Sequence, residues 1–261
     1  LNLRLFVEQL TYIVNHAEDK VIFFDADLLP LVLAIKDRIS TVEHFIVLHP
    51  DPSFVPPELP QALNYEKLLT EADDSYDFPT DLDEFAPAAM CYTTATTGDP
   101  KGVVYTQRSI FLHSFALLSA DMMGIMERDT AMPVVPMFHV NAWGIPFAAT
   151  WAGAKQVYPG PRPDAVALCQ LIQNEKVTLS AGVPTIWMAV LQEYQRGGYD
   201  FSTVRGFIVG GAAVPRALME AYDRIIGAPL IHAYGMTETS PLVLLSQPKS
   251  YMNDWPSERV M

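Results

Sequence analysis

Apolar residues recur along this chain at helical and strand spacings in turn, and that alternation predicts an α/β fold. Residues 5–16 read as an amphipathic helix and residues 20–24, Lys-Val-Ile-Phe-Phe, as a buried strand. A second helix is expected over residues 28–39 and a second strand over residues 45–48. Strand, helix and strand in that order form a βαβ signature, so parallel sheets covered by helices are expected. From residue 50 to 87 the pattern gives way to a proline-rich, acidic stretch containing Asp73-Asp74 and Asp81-Leu82-Asp83-Glu84. This reads as a solvated connector with one short helix over residues 65–72.

The alternation then resumes. Strands over residues 88–92 and 103–105 flank a polar loop, and a long helix is expected over residues 108–126. Short strands follow over residues 157–158, 178–181, 207–209 and 230–233, separated by helices over 165–174, 185–194 and 215–226. Pro215 suits the first turn of the last of these helices. The chain divides accordingly into a βαβ segment (1–50), the connector (51–87) and a segment carrying the candidate sites (88–261). Residues 130–154 are uncharged and long enough to resemble a membrane span. Pro133, Pro136, His139, Asn141 and Pro146 would each be costly in a lipid-facing helix, so no transmembrane segment is expected.

Composition narrows the function classes. With 261 residues, half of them hydrophobic, the chain can bury a substantial core. Its net charge of −13 disfavours binding to nucleic acid or an anionic membrane, and any nucleotide site would need local cations. Two cysteines, Cys91 and Cys169, cannot form a multi-bridge framework, and a reduced, cytoplasmic setting is expected. No signal peptide is visible after Leu1, and both ends read as cut from a longer protein.

Four segments carry candidate chemistry. The loop Tyr92-Thr93-Thr94-Ala95-Thr96-Thr97-Gly98-Asp99-Pro100-Lys101-Gly102 concentrates hydroxyls, glycines and one lysine. Composition alone fits a Thr-rich turn equally well. Its place after a strand of a parallel sheet favours a ligand site, with Lys101 neutralising phosphate and Thr93, Thr96, Thr97 and Gly98 bonding its oxygens. The Walker spacing is absent. The second segment runs His232-Ala233-Tyr234-Gly235-Met236-Thr237-Glu238-Thr239-Ser240-Pro241; it is either a strand end with a solvated acid, or a site where Tyr234 stacks on a base and Glu238 holds Mg²⁺. The third, Val135-Pro136-Met137-Phe138-His139-Val140-Asn141-Ala142-Trp143, suits a pocket wall, although a lone histidine among apolar residues is more often a satisfied core group. The fourth, Val209-Gly210-Gly211-Ala212-Ala213-Val214-Pro215, is a turn of small residues that lets backbone approach a flat ligand.

In this order the four segments resemble the adenylate-forming acyl-CoA synthetase superfamily, specifically its medium- and long-chain fatty acid ligases. The family's phosphate-loop motif, Tyr-Thr-Ser/Thr-Gly-Thr-Thr-Gly-x-Pro-Lys-Gly, is matched by Tyr92 to Gly102 at all positions but one, and its adenine motif by Tyr234 to Thr239. The third segment is similar to the fatty-acid gate motif, whose tryptophan closes the acyl tunnel. The resemblance implies activation of a fatty acid by ATP and Mg²⁺ to an acyl-adenylate, then transfer to coenzyme A. It places Thr93 and Glu238 on Mg²⁺, and Thr94, Thr96, Thr97, Gly98 and Lys101 on the phosphates. It further implies nucleotide contacts from Val140, Trp143, Gly211, Ala212, Ala213, His232, Ala233, Tyr234, Gly235 and Met236, with Thr237 at the α-phosphate. His139 and Trp143 would border the acyl pocket, and Lys101, Thr237 and Glu238 would serve catalysis.

The chain departs from the family where Ala95 replaces a glycine and Gln107 a frequent histidine. If Ala95 needs φ > 0, its Cβ costs on the order of 1–2 kcal/mol. The family's ribose-binding aspartate and its C-terminal lid with a catalytic lysine have no counterpart before Met261, so this polypeptide alone is expected not to complete acyl-CoA synthesis. Related ligases are often dimers, and a homodimer is one expectation for the whole protein. Two rivals stand beside this reading. An amino-acid-activating domain would need a carboxylate for the substrate ammonium, and residues 130–154 contain none. A non-catalytic nucleotide-binding remnant would have Ala95 as its lesion.

Overall fold

A computed structural model of the chain describes residues 1–93 and 98–256. They fall into two compact units, residues 1–82 with 92–93 and 98–102, and residues 83–91 with 103–256.

The first unit opens with α1 (Val7–Ala17), which buries Leu10, Ile13 and Val14, one stripe at helical spacing. The strand β1 (Val21–Asp25) buries Ile22 and Phe24 and exposes its alternate residues. The helix expected over residues 28–39 is shorter: α2 spans Leu29–Ile35, with 3₁₀ turns at Ala26–Leu28 and Lys36–Arg38. Asn15 explains the early end. Its Nδ2 donates to Arg38 O at 2.8 Å and its Oδ1 accepts from Ser40 N at 3.0 Å, so groups freed by the last turn are satisfied from α1. The strand β2 (His44–Leu48) pairs parallel with β1, as the βαβ pattern predicts. A two-residue strand, β3 (Leu63–Asn64), adds a third parallel member, and Asn64 caps α3 (Tyr65–Glu71) by accepting from Lys67 N at 3.1 Å.

The second unit is built on a six-stranded sheet. Strands β4 (Pro87–Tyr92) and β5 (Gly102–Thr106) pair separately, and α4 (Gln107–Leu118) follows, capped by Thr106. This helix stops well before residue 126, because Ser119 is extended and Gly124 takes φ +56. After β6 (Thr130–Pro133) come α5 (Ile145–Ala152) and β7 (Lys155–Gln156), the latter two residues ahead of the expected position. The next elements agree closely with the pattern: α6 (Ala165–Asn174), β8 (Leu179–Gly182), α7 (Pro184–Arg196) and β9 (Gly206–Val209). Pro215 is the extended cap before α8 (Arg216–Ala221) rather than a first-turn residue, and a π turn, Tyr222–Ile226, completes that helical stretch. The chain then enters β10 (Leu230–Gly235) and returns through β11 (Leu242–Leu245), a strand the pattern does not announce.

The sheet order is β11-β10-β9-β8-β6-β7, parallel throughout except for β11 at the edge. The central strands β6, β8 and β9 are buried along their whole length, as helices on both faces require. Alternation sorts their side chains between two cores. Phe207 and Val209 join Trp187, Tyr222 and Ile172 on one face, whereas Ile208 and Ala181 join Trp143, Ile145 and Leu117 on the other. Among the described residues no helix is long and apolar enough to cross a membrane.

Candidate functional site

The chain between β6 and α5 makes an unusual turn. Val140, Asn141, Ala142 and Trp143 all have positive φ, from 48° to 59°, and Gly144 ends the turn at 71°. Left-handed backbone costs an L-residue about 1–2 kcal/mol, so the surrounding structure must impose it. Local bonds hold it: Ala142 N donates to His139 O at 3.1 Å and Gly144 N to Asn141 O at 3.0 Å. The Cys91 thiol donates to Asn141 Oδ1 at 3.5 Å. Val140, Ala142 and Trp143 are buried.

This turn forms one wall of a cavity of about 320 Å³. His139, Val140 and Trp143 supply that wall, Gly210 and Gly211 at the end of β9 a second, and Ala233, Gly235, Met236, Thr237 and Glu238 a third. Pro241 and Leu242 complete the lining. Segments separated by up to about a hundred residues of chain thus meet at the carboxyl ends of β9 and β10, where open parallel sheets place ligands. Gly210, Pro241 and Leu242 stand outside the residue set that the resemblance implies. The first two lie in segments the sequence already singles out, while Leu242 opens a strand without a clear signal. Ala212, Ala213, His232 and Tyr234 do not line this cavity.

The cavity lining is mostly apolar, with Thr237 and Glu238 among its polar members. The Thr237 carbonyl accepts from the Tyr105 hydroxyl at 2.6 Å, which pins the turn carrying Glu238. Burial pushes the Tyr105 phenol far up, reinforced by Cys91 and Glu238, so it remains a donor. His139 is exposed at the cavity, yet the protein around its ring lowers its pKa and favours the neutral imidazole. Glu238 is an exposed carboxylate on the 3₁₀ turn Thr237–Thr239.

The predicted phosphate loop belongs to the first unit. Thr93 closes its neck, its N–H donating to Lys101 O at 3.0 Å and its hydroxyl to the same oxygen at 3.5 Å. Tyr92, at its start, meets His16 Nδ1 through its hydroxyl at 2.7 Å. Gly98 takes φ +91. Thr94, Ala95, Thr96 and Thr97 lie outside the described residues. Among the described residues no cluster of three or more His, Cys, Asp or Glu is placed to hold a metal by itself.

Residues 1–259 match the family described as "AMP-binding enzyme". A long-chain-fatty-acid–CoA ligase of Thermus thermophilus is 45% identical over 98% of this chain and 46% of its own length. A 3-methylmercaptopropionyl-CoA ligase of Ruegeria lacuscaerulensis is 44% identical over 93% of this chain and 45% of its own length. The chain therefore spans about half the length of the curated relatives it matches. Among solved structures, a long-chain-fatty-acid-CoA ligase from Archaeoglobus fulgidus superposes with a TM-score of 0.80 at 22% identity, covering 95% of this chain and 49% of that one, which shows the shared fold. A family match running almost end to end, on a sheet that gathers the gate-like and adenine-like segments at one cavity, shows that this chain belongs to the AMP-binding enzyme family.

Proposed function

We propose that this chain carries the acid- and nucleotide-binding part of an ATP-dependent fatty acid–CoA ligase. In the first half-reaction a carboxylate oxygen of the acid attacks the α-phosphorus of ATP, forming the acyl-adenylate as pyrophosphate leaves with its bonding electrons. In the second, the sulfur of coenzyme A attacks the acyl carbonyl, the thiol proton is lost, and AMP leaves. The observation that carries this reading is the cavity whose apolar wall, His139 to Trp143, faces the same space as Thr237 and Glu238. An apolar tail and a charged head can be received side by side there.

In this reading Lys101, with Thr94, Thr96, Thr97 and Gly98, neutralises and orients the phosphates, and Thr237 meets the α-phosphate. The backbone from Gly211 to Ala213 and from His232 to Met236 borders the adenine, while Val140, His139 and Trp143 shape the acyl side. Most of the rate advantage then comes from positioning and charge compensation. The Glu238 carboxylate and the Thr93 hydroxyl are hard oxygen donors of the kind Mg²⁺ takes alongside waters and substrate phosphates, and the ion when bound offsets phosphate charge. Cys91 and Cys169 are free thiols, which supports a reduced, cytoplasmic setting.

Acid-dependent exchange of pyrophosphate into ATP, measured on the whole protein, tests the proposal. Medium- and long-chain fatty acids should drive exchange, and Glu238→Gln should lower it by about 100-fold without moving the unfolding midpoint. Exchange with amino acids alone, or none with any acid, would overturn it. The 44% identity to a 3-methylmercaptopropionyl-CoA ligase favours a second reading, a short thioether acid, and the same assay run with that acid separates the two.

A further inference from the structure

His113 lies on α4 and reaches both the left-handed turn and the β10–β11 connection. Its Nε2 accepts a hydrogen bond from the Leu242 backbone N–H at 3.1 Å. Acceptance there puts the ring proton on Nδ1. The opposite edge of the ring is pressed against Gly144: a Cβ on that glycine would stand 2.7 Å from His113 Nδ1 and 2.9 Å from Cε1. One imidazole therefore touches the residue that ends the Trp143 turn and the residue that begins β11. Leu242 and Trp143 both line the cavity.

We propose that His113 is a positioning residue that sets the separation between the Val140–Trp143 wall and the Pro241–Leu242 wall of the cavity, and so tunes which acids fit. The second half of the proposal rests on the ligase reading; the first does not. The turn is intrinsically unfavourable, since four L-residues hold positive φ, so it needs an external brace. The covalent chain supplies none on the Leu242 side, because about a hundred residues separate the two walls. His113 supplies it through one bond and one close contact. It reaches the cavity only through its neighbours, since it is absent from the lining itself.

Two variants test this. In His113→Leu the ring's bulk is kept in part but the acceptor is lost. In His113→Gln the amide oxygen can take the place of Nε2. Amide hydrogen exchange read by NMR on the full chain should speed up at Leu242 and Gly144 in H113L by about tenfold, the effect of losing one hydrogen bond, while Ile208 in the central sheet is unchanged. H113Q should stay within about threefold of the unmodified protein. In the exchange assay H113L should raise KM for the preferred acid about fivefold or more and flatten the chain-length profile, with KM for ATP changed less than about twofold. If H113L folds poorly, His113→Asn, too short to reach the Leu242 amide, serves with the same expectation.

Unchanged protection at Leu242 in H113L would overturn the brace. Equal acceleration in H113L and H113Q, or acceleration that extends to Ile208, would also overturn it, leaving a merely structural histidine. Local acceleration with equal changes in KM for acid and ATP would keep the brace and overturn its part in specificity. Absence of any acid-dependent exchange in the unmodified whole protein would sink the ligase reading instead, and the amide measurement would still decide the role of His113.

Discussion

The indole of Trp143 lies directly over Gly210: a Cβ built on that glycine would stand 3.1 Å from the ring's Cη2 and 2.8 Å from Ala233 O. Trp143 is only 6% exposed, so the ring has little room to retreat. Gly210→Ala must shift either the indole or the end of β10, and overpacking of this kind costs about 1–3 kcal/mol. Urea unfolding should show that loss with an unchanged slope. A midpoint equal to that of the unmodified chain would mean that the ring has slack the geometry denies.

Removing the ring tests the same contact from the other side. Trp143→Ala deletes a large side chain that belongs to the core beneath β8 and β9, and truncations of this size cost about 3–5 kcal/mol. Because Trp143 also lines the cavity, the void adjoins the ligand space. Acids with bulkier or longer tails should gain relative to the preferred one in pyrophosphate exchange. Uniform loss with every acid would place the tryptophan in stability alone.

Much of this site is legible in the sequence because its parts are local. The strands at β8, β9 and β10 are short apolar runs bounded by turn residues, and helix α6 begins at Asp164, which caps it by accepting from Ala167 N at 2.8 Å. The left-handed turn is not legible. Val140, Ala142 and Trp143 have no preference for positive φ, and only Asn141 and Gly144 hint at it, so tertiary contacts decide that conformation. The end of α4 is hidden for a similar reason. Residues 119–126 are apolar enough to continue a helix, but Asp129 Oδ2 takes Met126 N at 2.9 Å and turns the chain toward β6. His113 is missed because its partners, Gly144 and Leu242, are distant in sequence; a histidine on a largely apolar helix gives no sign of them.

Burial alone depresses the pKa of His113 to about 4, from an ordinary 6.5. Between those values the unfolded chain binds a proton that the folded chain refuses, so stability should fall as pH drops from 6.5 towards 4. It should be flat in this respect above and below that window. The contribution is at most about 3 kcal/mol. His139 shifts in the same direction, so the informative quantity is the difference between the unmodified protein and His113→Leu. Denaturant unfolding at a series of pH values should show a shallower pH dependence in the variant. Parallel curves would mean that His113 is protonated at its ordinary value.

A buried ion pair ties the two ends of the central sheet connections together. Asp129, only 3% exposed at its side chain, receives Arg205 Nε and Nη2 at 2.9 Å each, Thr178 Oγ1 at 2.6 Å and Met126 N at 2.9 Å. Burial pushes the Asp129 carboxyl upward, but the bonds from Arg205, Thr178 and Met126 together with the Arg205 charge outweigh it and hold the group below its ordinary 3.8. Its stabilisation is therefore complete above that value and is lost as pH falls through the lower folded pKa. Arg205→Ala leaves the carboxylate buried without its cation. The full penalty for such a break is about 3–5 kcal/mol, and because the Arg205 side chain is 35% exposed, about 2–3 kcal/mol is expected after screening. Arg205 Nη2 also donates to Met123 O at 2.9 Å, so the variant frees the segment that follows α4 as well. Asp129→Asn with Arg205→Ala, which removes both charges, should recover part of the loss. A double variant less stable than the sum of the singles would contradict the pairing, and thermal unfolding of the four proteins in the cycle decides it.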